Sequence, residues 1–289
     1  MKYPLPLAMP LVLLLASCGA SPFQVSRASH RPPPTQTLSP DLAAMYGAKP
    51  DGKLTIPAVP PRDLSEAKKR VEVTYWTSQP VGTIIVDPGM FHLYYVLGHD
   101  KAIRYEVSVG KQGYGFSGDA VIPYKRKWPR WTPTPYMLKT TPKLDDPWRN
   151  GMPGGLQNPL GARALYLFRN GKDTLYRIHG TPYPWTIGHA TTDGCIRLFD
   201  QDIVDLYKRV HSGTKVIVRP PQDSGKGTFP PGAPVPATVL EARSKAIDFA
   251  TKGPAPSTGP ASLSGMPEPS GSASTGTTST PPGLQTASG

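Results

Sequence analysis

The chain has 289 residues, 37 of them proline and 29 glycine, and a formal net charge of +12. Proline and glycine together run at roughly twice their ordinary usage, and no apolar run reaches the ~20 residues of a membrane-spanning helix, so part of the chain is linker and a helical membrane span is excluded. Two cysteines exclude a disulfide-dense scaffold and a four-cysteine metal site.

The first segment speaks of location. Lys2 precedes a short apolar stretch, Leu5 to Ala16, of the length of a secretory signal core. It ends in Leu15-Ala16-Ser17-Cys18, which resembles the bacterial lipoprotein signal. The resemblance implies a signal peptide over 1–17, lipidation at Cys18, and a periplasmic protein held on a membrane by its lipid anchor. Gly19 in place of Asp implies the outer membrane. Residues 220–289 carry as many acidic as basic groups, so the positive excess belongs to residues 1–219. A basic surface fits an anionic partner. In the envelope that partner is expected to be a wall polymer, with no nucleic acid.

Residues 18–74 read as a Pro/Ser/Ala-rich tether. Within it the sequence predicts a short helix from Pro40 to Tyr46, capped by Ser39, and another over about 62–70. From Thr74 the composition turns β-branched and aromatic. Gly82 to Asp87 and Phe91 to Leu97 flank Pro88-Gly89 and predict a hairpin. Ala102 to Val109 predicts a third strand. Residues 111–160, rich in Gly, Pro and Trp, read as long loops. Arg163 to Phe168 and Thr174 to His179 predict a second hairpin across Asn170-Gly171. Ile203, Leu206, Tyr207 and Val210 fall at helical spacing, with Asp200 as the expected cap and Gly213 as the stop. Thr214 to Arg219 predicts a closing strand. The expected fold class is mainly β, antiparallel for the most part, with one packed helix, over residues 75–219. Residues 220–289 read as a low-complexity tail. Of the last 37 residues 28 are Gly, Pro, Ser or Thr, too little apolar surface to offset chain entropy. Ala237 to Lys252 is a marginal amphipathic helix.

The chemistry lies between residues 179 and 198. His179 ends a strand, and Cys195 follows in a Thr192-Asp193-Gly194-Cys195-Ile196-Arg197-Leu198 turn. A thiol becomes a strong nucleophile when an imidazole takes its proton. Gly194 permits tight backbone, so the Gly194 and Cys195 amides could face an oxyanion. A buried, inert cysteine beside an unrelated histidine is the alternative. His179, His189 and Cys195 show no fourth ligand at metal spacing.

His179-Gly180-Thr181, a loop containing Ile187-Gly188, then Thr192-X-Gly194-Cys195-Ile196-Arg197-Leu198 resembles the catalytic signature of the L,D-transpeptidases, the YkuD-type domain. The likeness extends to the Gly82–Val96 hairpin, to Val109-Gly110 with Gly113 to Gly118, and to Asn158-Pro-Leu-Gly-Ala162. It implies the L,D-transpeptidase β-sandwich/barrel, with Cys195 as nucleophile and His179 as general base. Gly194, Arg197, Thr192 and Gly180 are implied as oxyanion or substrate-binding residues. It also implies a peptidoglycan tetrapeptide stem as donor, a thioester on Cys195, loss of D-Ala, and no metal or nucleotide cofactor. The acceptor is open among a second stem, a D-amino acid and an outer-membrane protein. Water as acceptor would make the chain an L,D-carboxypeptidase. A catalytically silent wall-binding lipoprotein is the reading outside enzymes. Asp193 stands where the family often has His, which weakens a proton-shuttling role there. His189 is the candidate to compensate.

Overall fold

The computed structural model describes residues 38–110, 116–140, 146–192 and 194–252. The expected signal peptide, Cys18, the tether up to residue 37, Gly113, Asp193 and the tail from 253 on lie outside the described residues.

The chain is first described at α1 (Pro40–Tyr46), where the Ser39 hydroxyl accepts from the Leu42 amide at 3.3 Å. A small hairpin follows, β1 (Lys49–Asp51) with β2 (Leu54–Ile56). Two 3-10 turns, Pro61–Asp63 and Glu66–Lys68, stand where one helix was expected. Then come β3 (Val71–Thr74), β4 (Ile84–Asp87) and β5 (His92–Gly98). The turn between the last two is a 3-10 turn closed by Asp87, which accepts from the Met90 amide at 3.2 Å. The expected third strand is broken into β6 (Lys101–Glu106) and β7 (Val109–Gly110). Next are β8 (Gly118–Ile122), β9 (Lys125–Lys127), α2 (Pro135–Thr140), β10 (Arg163–Arg169) and β11 (Lys172–His179). Asn170 and Gly171 both have positive φ, 52° and 74°, as a two-residue hairpin turn requires. The described chain ends with β12 (Ala190–Thr192), β13 (Ile196–Arg197), α3 (Asp200–Arg209), β14 (Thr214–Val218) and α4 (Ala237–Lys252).

One large sheet runs β13-β11-β10-β8-β14-β4-β5-β6-β3, with β9 also on β10. It is mixed: β14 lies parallel to β4, and β13 parallel to β11. β14 therefore sits mid-sheet rather than closing an edge. β8, inside the stretch expected as loop, is its antiparallel neighbour. Ala120 and Ile122 of β8 are buried while Asp119 and Val121 are exposed, a two-residue period too short to stand out among glycines. On one face α3 drives Ile203, Leu206 and Val210 against Ile84, Val86, Leu165, Leu167 and Ile178. Among the described residues no helix is long and apolar enough to cross a membrane.

Two boundaries change. Residues 38–74 are not a loose tether. Leu42, Tyr46, Val59 and Leu64 are buried with Ile187 and Phe199, and β3 pairs with β6. Leu42 and Tyr46 share one face of α1, but Val59 and Leu64 follow no helix or strand period, and only tertiary contact reveals what they cover. Residues 220–252 are not tail. The Ser224 hydroxyl and the Gly225 amide each donate at 2.6 Å to one oxygen of the fully buried Asp87 carboxyl, and α4 turns Val239 and Ala246 inward.

Candidate active site

His179 is the last residue of β11 and is 3% exposed. Its Nδ1 lies 2.6 Å from the Gly180 carbonyl oxygen. A carbonyl only accepts, so Nδ1 carries the hydrogen and Nε2 is left with its lone pair. Burial, and then the positive Arg197, push the imidazole from its ordinary 6.5 down to about 3; the Gly180 hydrogen bond opposes them. The ring is neutral, hence able to receive a proton, throughout the physiological range.

β13 runs beside β11 in parallel, with Ile196 opposite Ile178 and Arg197 opposite His179. Cys195, half-buried, immediately precedes that pair. The sheet thus brings the two ends of the signature to one edge. The cysteine turn is held by Thr192, 2% exposed. Its Oγ1 accepts from the Gly194 amide at 3.1 Å and donates to the Cys195 carbonyl at 2.6 Å. This alters one expectation: the Gly194 N–H is engaged by Thr192 rather than presented to an oxyanion.

β7 braces the same turn. Ser108 and Arg197 exchange backbone bonds of 2.9 Å each way. The Ser108 hydroxyl donates to the His189 carbonyl at 2.9 Å and shares a bond of 2.7 Å with the Thr191 hydroxyl. Gly194 has φ +125°, and a Cβ there would lie 2.6 Å from the Tyr176 ring. A Cβ on Gly110 would lie 2.9 Å from the Gly194 Cα. Both glycines are demanded by close approach.

Tyr176 went unrecognised in the sequence. Its ring lies against Gly194 and 5.1 Å from that of Phe116. Burial first, and then the charge of Cys195, raise its phenol. The only sequence signal is its place three residues before His179.

His189 is exposed. Trp185 is half exposed and pairs with Tyr183, ring centroids 5.3 Å apart. Lys125 donates at 2.6 Å to both the Tyr207 and Val210 carbonyls at the end of α3. Arg130 donates to the Asn150 carbonyl. Among the described residues no three His, Cys, Asp or Glu are placed to hold a metal ion.

Residues 82–218 match the model of the YkuD L,D-transpeptidase catalytic domain. "Probable L,D-transpeptidase YbiS" of Escherichia coli strain K12 is 33% identical over 137 residues, 47% of this chain and 43% of that protein. "Probable L,D-transpeptidase YcfS" of the same strain is 35% identical over 130 residues, 43% of this chain and 39% of that one. The chain thus spans less than half the length of either relative. A solved chain from Brucella melitensis, described as a "Probable carnitine operon oxidoreductase caia", is 48% identical over 52% of this chain and 93% of its own, with a TM-score of 0.38. That superposition is too loose to bear on the fold, and the family rests on the sequence match. Residues 82–218, just under half of this chain, thus carry its likeness to the YkuD-type L,D-transpeptidase catalytic domains.

Proposed function

We propose that the chain is a cysteine-dependent peptidoglycan L,D-transpeptidase. Cys195 Sγ attacks the carbonyl of the third residue of a tetrapeptide stem. His179 Nε2 receives the thiol proton and passes it to the nitrogen of the departing D-Ala, leaving a thioester on Cys195. An acceptor amine attacks that carbonyl, loses its proton through His179, and releases the thiol. Proton, leaving group and acyl bond balance without a nucleotide, since the energy of the cleaved amide is kept in the thioester.

The observation that carries this reading is the contact of His179 Nδ1 with the Gly180 carbonyl, beside a cysteine delivered by the parallel β11–β13 pair. It leaves Nε2 as the acceptor atom. An imidazole held near 3 is too weak to keep a proton from a thiol at rest, thiols in general titrating near ~8.5. Proton transfer therefore accompanies C–S bond formation rather than preceding it.

The test is intact-protein mass spectrometry after incubation with wall tetrapeptides. A Cys195 adduct equal to the stem less D-Ala is expected, followed by transfer to an added amine. An unmodified folded protein would favour the silent wall-binding reading, and release of free tripeptide alone would favour the carboxypeptidase. The anchor is a separate proposal: acylated Cys18 holds the protein on the periplasmic side of the outer membrane. Cys18→Ser should then leave the membrane fraction, and a variant still bound there removes the lipid anchor.

A further inference from the structure

Asp200 is a buried carboxyl that the reaction does not use. It was expected to cap α3, but Phe199 occupies that place. Asp200, 8% exposed, turns instead toward the back of the active site. Its Oδ1 accepts from the Ala162 amide at 2.8 Å, and the carboxyl also accepts from the Thr181 amide. The Thr181 N–H is the other end of the very peptide whose Gly180 carbonyl holds His179 Nδ1, and the Ala162 nitrogen lies 3.2 Å from where a Gly180 Cβ would stand. Space confirms the fit. A Cβ on Gly180 would lie 1.9 Å from Asp200 Oδ1. One on Gly161 would lie 2.3 Å from the same oxygen and 2.5 Å from the Gly180 carbonyl carbon. The carboxylate fills the room left by two missing side chains, wedged between the end of β11 and the loop before β10.

We propose that Asp200 is the positioning residue for the base: by clamping the Thr181 and Ala162 amides it sets the Gly180 carbonyl against Nδ1, and so keeps Nε2 as the proton acceptor. The proposal rests on His179 being the base. Its cost is visible, because burial pushes the Asp200 carboxyl up to about 7 against the pull of the two amides and Arg163. A group needed only to begin α3 would sit in water at the cap, where such a penalty is absent. Loss of the clamp lets the Gly180 peptide rotate. Nδ1 and Nε2 then share the hydrogen, and part of the protein presents an N–H to the thiol.

The experiment reads the tautomer directly, on full-length protein labelled with 15N-histidine. His179 is assigned by its absence from the spectrum of His179→Gln. The rate of Cys195 alkylation by iodoacetamide is measured alongside. Wild type should show a protonated Nδ1 and a bare Nε2. Asp200→Ala should show mixed tautomers and alkylate about 10–100-fold more slowly, the scale of a small misplacement in a reacting pair. Asp200→Asn keeps an oxygen for the Ala162 amide that Oδ1 receives and should hold the wild-type tautomer, within about threefold in rate. An unchanged tautomer in folded Asp200→Ala overturns the proposal. So does a lost tautomer in Asp200→Asn, which decides the matter even if the alanine variant does not fold. Neither reading needs a wall substrate. A protein that forms no adduct with stems but shifts its tautomer as described would therefore lose the transpeptidase reading and keep only the control of the His179 tautomer by Asp200.

Discussion

His179, the proposed base, links the proposed chemistry to stability through one proton. In the unfolded chain its imidazole titrates near ~6.5; in the folded protein, about 3. Below pH 6.5 the unfolded chain takes up a proton that the folded one refuses, so this residue's contribution falls as pH drops, by up to ~1.4 kcal/mol per pH unit. Asp200 and Asp202 act in the opposite sense. Burial pushes both folded carboxyls up to about 7, against ~3.9 unfolded. Between about 4 and 7 the folded state holds their protons longer, so their contribution falls as pH rises. In wild type the histidine partly offsets the two carboxyls between about pH 4 and 6.5. In His179→Gln nothing does, and urea midpoints at pH 4.5, 5.5 and 6.5 should fall more steeply than in wild type. An equal slope would mean that His179 titrates normally in the folded state. The same variant should acylate roughly 10²–10⁴-fold more slowly, the usual worth of a general base, and Cys195→Ala should form no adduct at all.

The elements that hold this site come partly from outside the family segment. Residues 38–70 lean on the loop between His179 and Cys195. Leu42, Tyr46, Val59 and Leu64 enclose Ile187 and Phe199, and Lys68 donates to the Ile187 carbonyl at 2.9 Å. Arg70 meets the fully buried Asp202 at 2.7 Å, and the Tyr46 hydroxyl donates to the other oxygen at 3.1 Å. Leu42→Ala should cost about 2–5 kcal/mol in urea unfolding, the range of a buried leucine. Arg70→Ala should cost about 3–5 kcal/mol by leaving a buried carboxyl without its cation, and adding Asp202→Asn should restore part of the loss. Additive losses in the double variant would deny the pair. Much of this arrangement was legible in advance. Ser39-Pro40 marks a helix start, Asn170-Gly171 marks a hairpin, and the His179–Arg197 signature marks the two segments that β11 and β13 bring side by side. What was not legible depends on contact between distant elements. Val59 and Leu64 lie in proline-rich chain with no period. β8 is five residues long among glycines. Asp200 has the sequence position of a cap, and only the glycines at 161 and 180 turn it elsewhere.

At the scale of the whole molecule, the folded unit outlasts the family match at its C-terminal end. The match stops at residue 218, but Asp87, at the end of β4, is buried and depends on chain beyond that point. Its carboxyl receives the Ser224 hydroxyl and the Gly225 amide at 2.6 Å each. Glycine is required at 89, where a Cβ would meet the Ser224 hydroxyl oxygen at 2.2 Å and the Ala246 Cβ at 2.9 Å. The 88–90 turn, residues 224–225 and α4 therefore close on one another. α4 also lines a cleft of about 400 Å³, whose other lining residues include Val109 and Ala190. Those two residues face each other in the β7–β12 pair that braces the cysteine turn. A chain ending at Arg219 would leave the Asp87 carboxyl without two of its donors, at ~1–3 kcal/mol or more for a charged group, and would uncover Val109 and Ala190. It should melt several degrees lower than the full chain and lose acylation rate. A chain ending at Lys252 keeps every one of these contacts and should match the full chain in both. Equal melting of the two truncated chains would show that the Asp87 latch contributes nothing. Equal melting with slower acylation in the shorter one would place the effect of α4 on the β7–β12 brace alone.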